Sequence, residues 1–189
     1  YQMRVKIINK NLFIFFLMIM SFFVNNAFAQ NSLNISFNET EKWEFISDNV
    51  MGGVSTGTVE FLSMNENLIA LIKGQVSTEN NGGFIQIRHT LNDTNLIEAS
   101  KIRVVAKGNN QKYFIFLRTK GTILPWQYYS HEFDVMNEYD EFIMQIKDFK
   151  KSGMLLANQI DPKKITSIGI VAYGRDHVAE IYVKELEFI

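Results

Sequence analysis

The sequence predicts an all-β protein built as a sandwich or jelly roll, and two observations support this. Apolar residues recur at every second position, as in Ile102, Val104 and Ala106, with polar residues between them. This spacing is typical of half-buried strands. Clusters of turn-forming residues, such as 80–83 and 107–110, separate these runs. About ten short strands joined by turns are typical of β-sandwiches and jelly rolls.

The same alternation places each strand along the chain. Turn residues at 64–67, 80–83, 107–110 and 173–176 mark the breaks between neighbouring runs. Only 149–159 leaves room for a short helix, and Ser152 followed by Gly153 disfavours one there. The expected strands are 33–37, 54–62, 68–76, 84–89, 102–106, 113–117, 126–133, 142–146, 165–173 and 178–188.

The first 29 residues differ in kind from the rest. Arg4, Lys6 and Lys10 precede an apolar run over 12–24, and small residues follow at 27–29. This order predicts a secretory signal peptide over 1–29. The apolar run is shorter than the roughly 20 residues that span a bilayer. We therefore expect no stable membrane anchor, a single β-sandwich domain over 30–189, and an exported protein that is periplasmic or extracellular.

Charge and cysteine content exclude several classes of function. The formal net charge is −1, and removal of residues 1–29 would take away three basic residues and no acidic one, which leaves −4. A mildly acidic chain without a basic cluster argues against nucleic acid or anionic lipid as a partner. The chain contains no cysteine. This excludes disulfides, thiolate metal sites, a cysteine nucleophile and the acylated cysteine of bacterial lipoproteins.

No set of residues predicts a catalytic or metal centre. The three histidines lie 42 or more positions apart, which is unlike the spacing of zinc ligands. A triad of Ser55, His89 and an aspartate lacks the strand-turn-helix setting of a nucleophile elbow. We therefore expect no enzymatic activity, no metal and no cofactor.

Two glycine-containing stretches, 43–57 and 74–84, interrupt the alternating pattern. One interpretation is that they form turns at sheet corners. The other is that they form a ligand or partner surface, and a weak calcium site from Asp48, Glu79 and Asn80 is a further hypothesis. The candidate residues of this surface are Asp48, Asn49, Gly52, Gly53, Ser55, Glu79, Asn80, Asn81, Gly82, Gly83 and Arg88.

An aromatic cluster beside Pro125 is the other candidate. On an extended strand, Trp126 and Tyr128 face one way and Tyr129 the other. If Trp126 and Tyr128 face outward, they offer flat aromatic surface to a sugar ring or to a protein partner. The alternative is that Trp126 fills the core of the sandwich, because large aromatic residues are buried on average.

The two glycine motifs also resemble those of a known family. The signature of the complex I intermediate-associated protein 30 family is similar to two parts of this sequence. The first is 48–53 followed by Ser55 and Gly57, and the second is 74–84 followed by Arg88. The resemblance implies a jelly roll like that of galactose-binding domains, with no cofactor and no reaction. It also implies a chaperone-like assembly factor, since mitochondrial members assist assembly of respiratory complex I.

The predicted secretory signal departs from that mitochondrial setting. We therefore expect a non-enzymatic exported binding module. Its partner would be a protein of the envelope or membrane or, alternatively, a glycan, which would make the chain a carbohydrate-binding module.

Overall fold

A computed structural model describes residues 32–91, 96 and 99–189, which belong to one compact unit. The predicted signal peptide lies outside the described residues. No helix in the described part of the chain is long and apolar enough to cross a membrane.

Two antiparallel sheets make up the fold, which confirms the predicted all-β jelly roll. Sheet A contains β1 (Leu33–Asn34), β3 (Thr56–Met64), β4 (Asn67–Val76), β6 (Lys101–Gly108), β9 (Asp140–Gln145) and β12 (His177–Phe188). Sheet B contains β2 (Trp43–Ser47), β5 (Phe84–Thr90), β7 (Gln111–Thr119), β8 (Tyr129–Val135), β10 (Lys150–Lys151) and β11 (Ile165–Tyr173). Short 3-10 helices cover Thr40–Lys42, Asp48–Met51, Glu79–Asn81, Ile146–Asp148 and Pro162–Lys164.

The strand order brings distant parts of the chain together. Sheet A runs β3-β4-β12-β6-β9, with β1 paired to the end of β12, and sheet B runs β10-β8-β7-β11-β5-β2. The chain changes sheets repeatedly, and two of these crossings are the turn from β6 in sheet A to β7 in sheet B and the turn from β11 in sheet B to β12 in sheet A. Asn110 and Gly174 adopt positive φ angles of 58° and 84° at these two crossings, a conformation that asparagine and glycine tolerate best.

The core lies between the two sheets and consists of the alternate residues that the sequence pattern placed on one strand face. Val104 and Ile181 of sheet A and Ile115 and Ile170 of sheet B are fully buried there. Tyr113 is also buried, and its hydroxyl group donates to Asn109 Oδ1 (2.7 Å) and accepts from the Glu180 amide (2.8 Å). This polar atom is therefore satisfied inside an apolar core.

Three local predictions differ from the structure. No strand was predicted within 149–159, but Lys150 and Lys151 pair with β8 as a two-residue edge strand, and the helix that Ser152 and Gly153 disfavour does not form there. Strand β8 begins at Tyr129 rather than at residue 126, because the Gln127 side chain accepts hydrogen bonds from the Ile123 and Leu124 amides and closes a turn. Strand β2 was missed, since its residues were assigned to the first glycine motif.

One core histidine should make the fold sensitive to mild acid. His89 is 6% exposed, and neither of its ring nitrogens has a hydrogen-bond partner among the described residues. Burial lowers the pKa of His89, and the nearby charge of Lys42 lowers it further. Below about pH 6.5 the unfolded chain therefore binds a proton at His89 that the folded chain does not. The free energy of unfolding consequently decreases as the pH is lowered.

We expect His89→Leu to lose less of its unfolding free energy than the unsubstituted protein between pH 7.5 and pH 5. Urea unfolding at both pH values measures this difference. His177 contributes in the same direction, since burial also lowers its pKa, so the profile of His89→Leu is flattened but not flat. Identical pH profiles for the two proteins would show that His89 carries no such penalty.

Candidate functional site

A buried carboxylate joins the two glycine motifs. Asp48 is fully buried directly after β2. Its Oδ1 accepts from the Ser55 amide (2.9 Å), and its Oδ2 accepts from the Ser55 hydroxyl group (2.5 Å) and from the amides of Gly83 (2.5 Å) and Phe84 (3.2 Å). The Ser55 hydroxyl group in turn accepts from the Ser77 amide (3.0 Å). We call these residues the Asp48 network.

The glycines of both motifs make room for this carboxylate. A Cβ atom at Gly53 or at Gly82 would overlap the Asp48 carboxyl group. Gly52 and Gly83 have φ angles of 88° and 126°, where a side chain would strain the backbone. The motif therefore consists of glycines because the chain closes tightly around one buried charge.

Hydrogen bonding keeps this charge in the ionised form. Burial raises the pKa of the Asp48 carboxyl group, but the hydrogen bonds from Ser55, Gly83 and Phe84 together outweigh burial. The pKa of Asp48 therefore lies below its ordinary value. A carboxylate that accepts several amide hydrogen bonds is stabilised in this way.

The structure corrects part of the predicted ligand surface. Asp48 and Ser55 are fully buried, so their side chains are not open to a ligand, and the calcium hypothesis loses its central carboxylate. Ser55 donates to Asp48 and has no histidine partner in the described structure. The motif residues that are exposed are Asn49, Gly52, Glu79, Asn80 and Asn81, whereas Gly53 and Gly83 are buried and Gly82 is half-buried.

A second group of candidates lies on the outer face of sheet B. Phe114 and Phe116 point away from the core on β7, because the residues that alternate with them are core residues. Tyr128 stacks on Phe116 with ring centroids 3.9 Å apart and planes 8° apart. Tyr173 of β11 packs edge-on against both phenylalanines and Tyr128. We call these four residues the aromatic platform.

Charged and polar side chains border the platform. Arg88 on β5 forms an ion pair with Glu44 on β2 (2.7 Å), and Lys112 on β7 forms one with Glu132 on β8 (3.1 Å). Between β5 and β7, strand β11 places Gly169 opposite both Arg88 and Phe116. The amide oxygen of Gln86 on β5 lies against Gly169, so polar groups border the aromatic platform on this side.

The predicted aromatic residues are divided by the turn before β8. Tyr129 is the core residue, with its hydroxyl group donating to the Ala157 carbonyl group (3.1 Å), and Tyr128 lies on the outer face. Trp126 is 61% exposed, so the alternative that Trp126 fills the core is wrong. Trp126 follows the end of β7 at Thr119, whereas the Asp48 network lies beside the end of β11 at Tyr173. Because β7 and β11 are antiparallel, these two strands end at opposite ends of sheet B.

Sequence reasoning therefore found Arg88 and Tyr128 of this face but missed Phe114, Phe116 and Tyr173. The available signal was the alternation itself, since an aromatic residue at the position between two core residues must face outward. Among the described residues, no group of three or more histidine, aspartate or glutamate side chains is placed to hold a metal ion.

Comparison with known proteins identifies the family. The family model of complex I intermediate-associated protein 30 matches residues 27–180. The match covers far more than half of the chain, and it confirms the family predicted from the two glycine motifs. A search of curated protein sequences found no significant match.

Solved structures with the same fold include carbohydrate-binding modules. The Family 11 module of a cellulosomal cellulase of Clostridium thermocellum is similar, with a TM-score of 0.70 and 14% identity over 85% of this chain and 95% of that one. The Family 11 module from the same organism in complex with a β-1,3-1,4-mixed-linked tetrasaccharide has a TM-score of 0.68 and 13% identity, over 84% and 95%. A Family 30 module has a TM-score of 0.53 and 15% identity, over 84% and 90%. At these identities the similarity shows the fold alone.

We expect Asp48→Asn to lower the free energy of unfolding by about 3 kcal/mol or more, because an amide nitrogen would face N–H and O–H donors inside the protein. Urea unfolding at pH 7 measures the loss. The neighbouring exposed Asn49 provides the control, and Asn49→Ala should stay within about 0.5 kcal/mol of the unsubstituted protein. Equal losses in the two variants would contradict the assigned role of the Asp48 network.

The same carboxylate should add a component of acid sensitivity. The pKa of Asp48 is lower in the folded than in the unfolded chain, so its stabilisation is complete above about pH 4 and is lost as the pH falls through the folded pKa. Urea unfolding between pH 5 and pH 3 should therefore show a smaller loss for Asp48→Asn than for the unsubstituted protein.

Proposed function

Since the chain belongs to the complex I intermediate-associated protein 30 family, we propose that it is a non-enzymatic, exported binding module that holds a glycan on the outer face of sheet B. The observation that carries this proposal is the aromatic platform, which is bordered by ion-paired and amide side chains on neighbouring strands. Ligand sites commonly combine aromatic walls with a few oriented polar groups.

Sugar rings fit this combination of surfaces. The C–H face of a pyranose packs on a flat aromatic ring, while its hydroxyl groups need donors and acceptors at the ring edges. The platform offers the rings, and Glu44, Gln86 and Arg88 offer carboxylate, amide and guanidinium groups on β2 and β5. One Family 11 module of the same fold was solved with a bound tetrasaccharide, which supports the choice of ligand class.

The test is isothermal titration of the protein with soluble glycans, both neutral and acidic. Tyr128→Ala and Tyr173→Ala should weaken binding by about tenfold or more, because each removes a ring of the platform. Tyr139→Ala is the matched control, since Tyr139 lies near Lys107 of sheet A. No heat with any glycan, or equal losses in the control, would overturn the proposal.

A protein partner in the envelope or membrane is a second candidate, and a separate observation favours it. Two loops at one end of sheet B expose large apolar side chains, among them Trp126, Met154 (94% exposed) and Leu155 (88%). Ser152 links the loops, because its hydroxyl group accepts from the Tyr128 amide (3.0 Å) and donates to the Trp126 carbonyl group (3.3 Å). Adjoining exposed apolar residues mark interaction surfaces.

If these loops bind a protein, Leu155→Asp should abolish its recovery in crosslinked pull-downs from an envelope extract. A charge in the centre of an apolar contact weakens binding. Because Leu155 is exposed in the free protein, the substitution should not destabilise the fold. Val178→Asp, at an exposed apolar position on β12, is the control. Recovery of the same partner with both variants would exclude the loops as the contact.

A further inference from the structure

Arg118 on β7 is a half-buried cation held by backbone dipoles. Its Nη1 donates to the carbonyl group of Pro125 (3.1 Å), and its Nη2 donates to the carbonyl groups of Thr122 (3.1 Å) and Leu124 (3.0 Å). No carboxylate in the described part of the chain forms an ion pair with Arg118. Carbonyl groups orient the guanidinium group but leave its full charge uncompensated.

A second arginine faces the same part of the sheet. Arg88 on β5 pairs across to Gly169 of β11, and Arg118 pairs to Ser167, the next outward position on that strand. The strands that carry the two arginines are separated only by β11, so their backbones are about 10 Å apart. Burial lowers the pKa of Arg118, and the charge of Arg88 lowers it further.

The strand between the two arginines, β11, carries small residues on its outer face. Gly169 has no side chain, the Ser167 side chain is small and buried, and the Gln86 amide oxygen lies against Gly169, so the surface between Arg88 and Arg118 is lined by small and polar groups. Glu44 is the one carboxylate paired with either arginine in the described structure, and its side chain is 63% exposed. The arginine pair therefore keeps an excess positive charge directly beside the aromatic platform.

This local charge contrasts with the chain as a whole, whose net charge is −1. Long-range attraction does not draw polyanions to such a chain. An anion that binds here must be recognised by contact, and guanidinium groups bind carboxylate and sulfate oxygens through paired hydrogen bonds.

We propose that the glycan held on the aromatic platform is acidic, with a uronate carboxylate or a sulfate ester placed between Arg88 and Arg118. This inference rests on the proposed glycan-binding function. Arg88 lies across β11 from the platform residue Phe116, and Arg118 follows Phe116 by two residues on β7, so a sugar stacked on the platform would place its charged substituents beside both guanidinium groups. The uronate and the sulfate ester have the same feature in common, which is an oxyanion attached to a sugar ring.

The test compares acidic glycans with neutral counterparts of the same backbone. Isothermal titration would use oligoalginate against its carboxyl-reduced form, and a sulfated galactan oligosaccharide against its desulfated form. We expect at least tenfold tighter binding of one acidic form, and the arm that responds identifies the carboxylate or the sulfate. Affinity for that form should fall as salt is raised from 50 to 500 mM.

Arg88→Gln should then lower affinity for the acidic form about tenfold and affinity for the neutral form by much less, because only the acidic form loses a charge-assisted contact. Arg88→Lys should restore part of the loss for the acidic form. Arg118 is not substituted, because it also holds the loop before β8. Lys184→Gln, on an exposed position of sheet A, controls for loss of one positive charge. Equal affinity for acidic and neutral forms, with no effect of Arg88→Gln, would overturn the inference but not glycan binding. Absence of binding to every glycan would overturn both.

Discussion

The Asp48 carboxylate is the constraint on which much of this structure depends. It lies after β2, and it accepts from Ser55 before β3 and from Gly83 and Phe84 at the start of β5. Strand β3 belongs to sheet A, whereas β2 and β5 belong to sheet B. A buried charge is tolerated only where its hydrogen bonds are satisfied. The Asp48 network therefore fixes one end of both sheets at once.

This constraint also sets the position of the outer face of sheet B. The Asp48 network determines where β5 begins, and β5 carries Arg88 to its place opposite Gly169. The loop is tied to the end of β11 as well, because the Gly174 amide donates to the Gly83 carbonyl group (2.8 Å). The platform residue Tyr173 directly precedes Gly174. The motifs that identify the family thus act inside the protein and hold the strands of the candidate site.

Much of the fold could be predicted from the sequence, and less of the site. Alternation placed ten of the twelve strands to within a few residues, since a half-buried strand exposes every second side chain. It failed for β2 and β10, where a glycine motif and a two-residue edge strand hide the pattern. The two predicted candidates, the glycine motifs around Asp48 and the aromatic cluster around Trp126, lie at opposite ends of sheet B, which the sequence did not indicate. Glycine pairs suggest loops, but they do not say whether a loop faces solvent or encloses a charge.

By itself the sequence determined the all-β class and the family, because side-chain alternation and turn residues act over a few neighbouring positions. Only the tertiary structure decided which residues meet. Asp48 and Gly83 are 35 positions apart, and the strand order brings Phe116, Gly169 and Arg88 side by side from three separate strands. Such neighbours follow from the pairing of whole strands and the packing of two sheets, which no local pattern encodes.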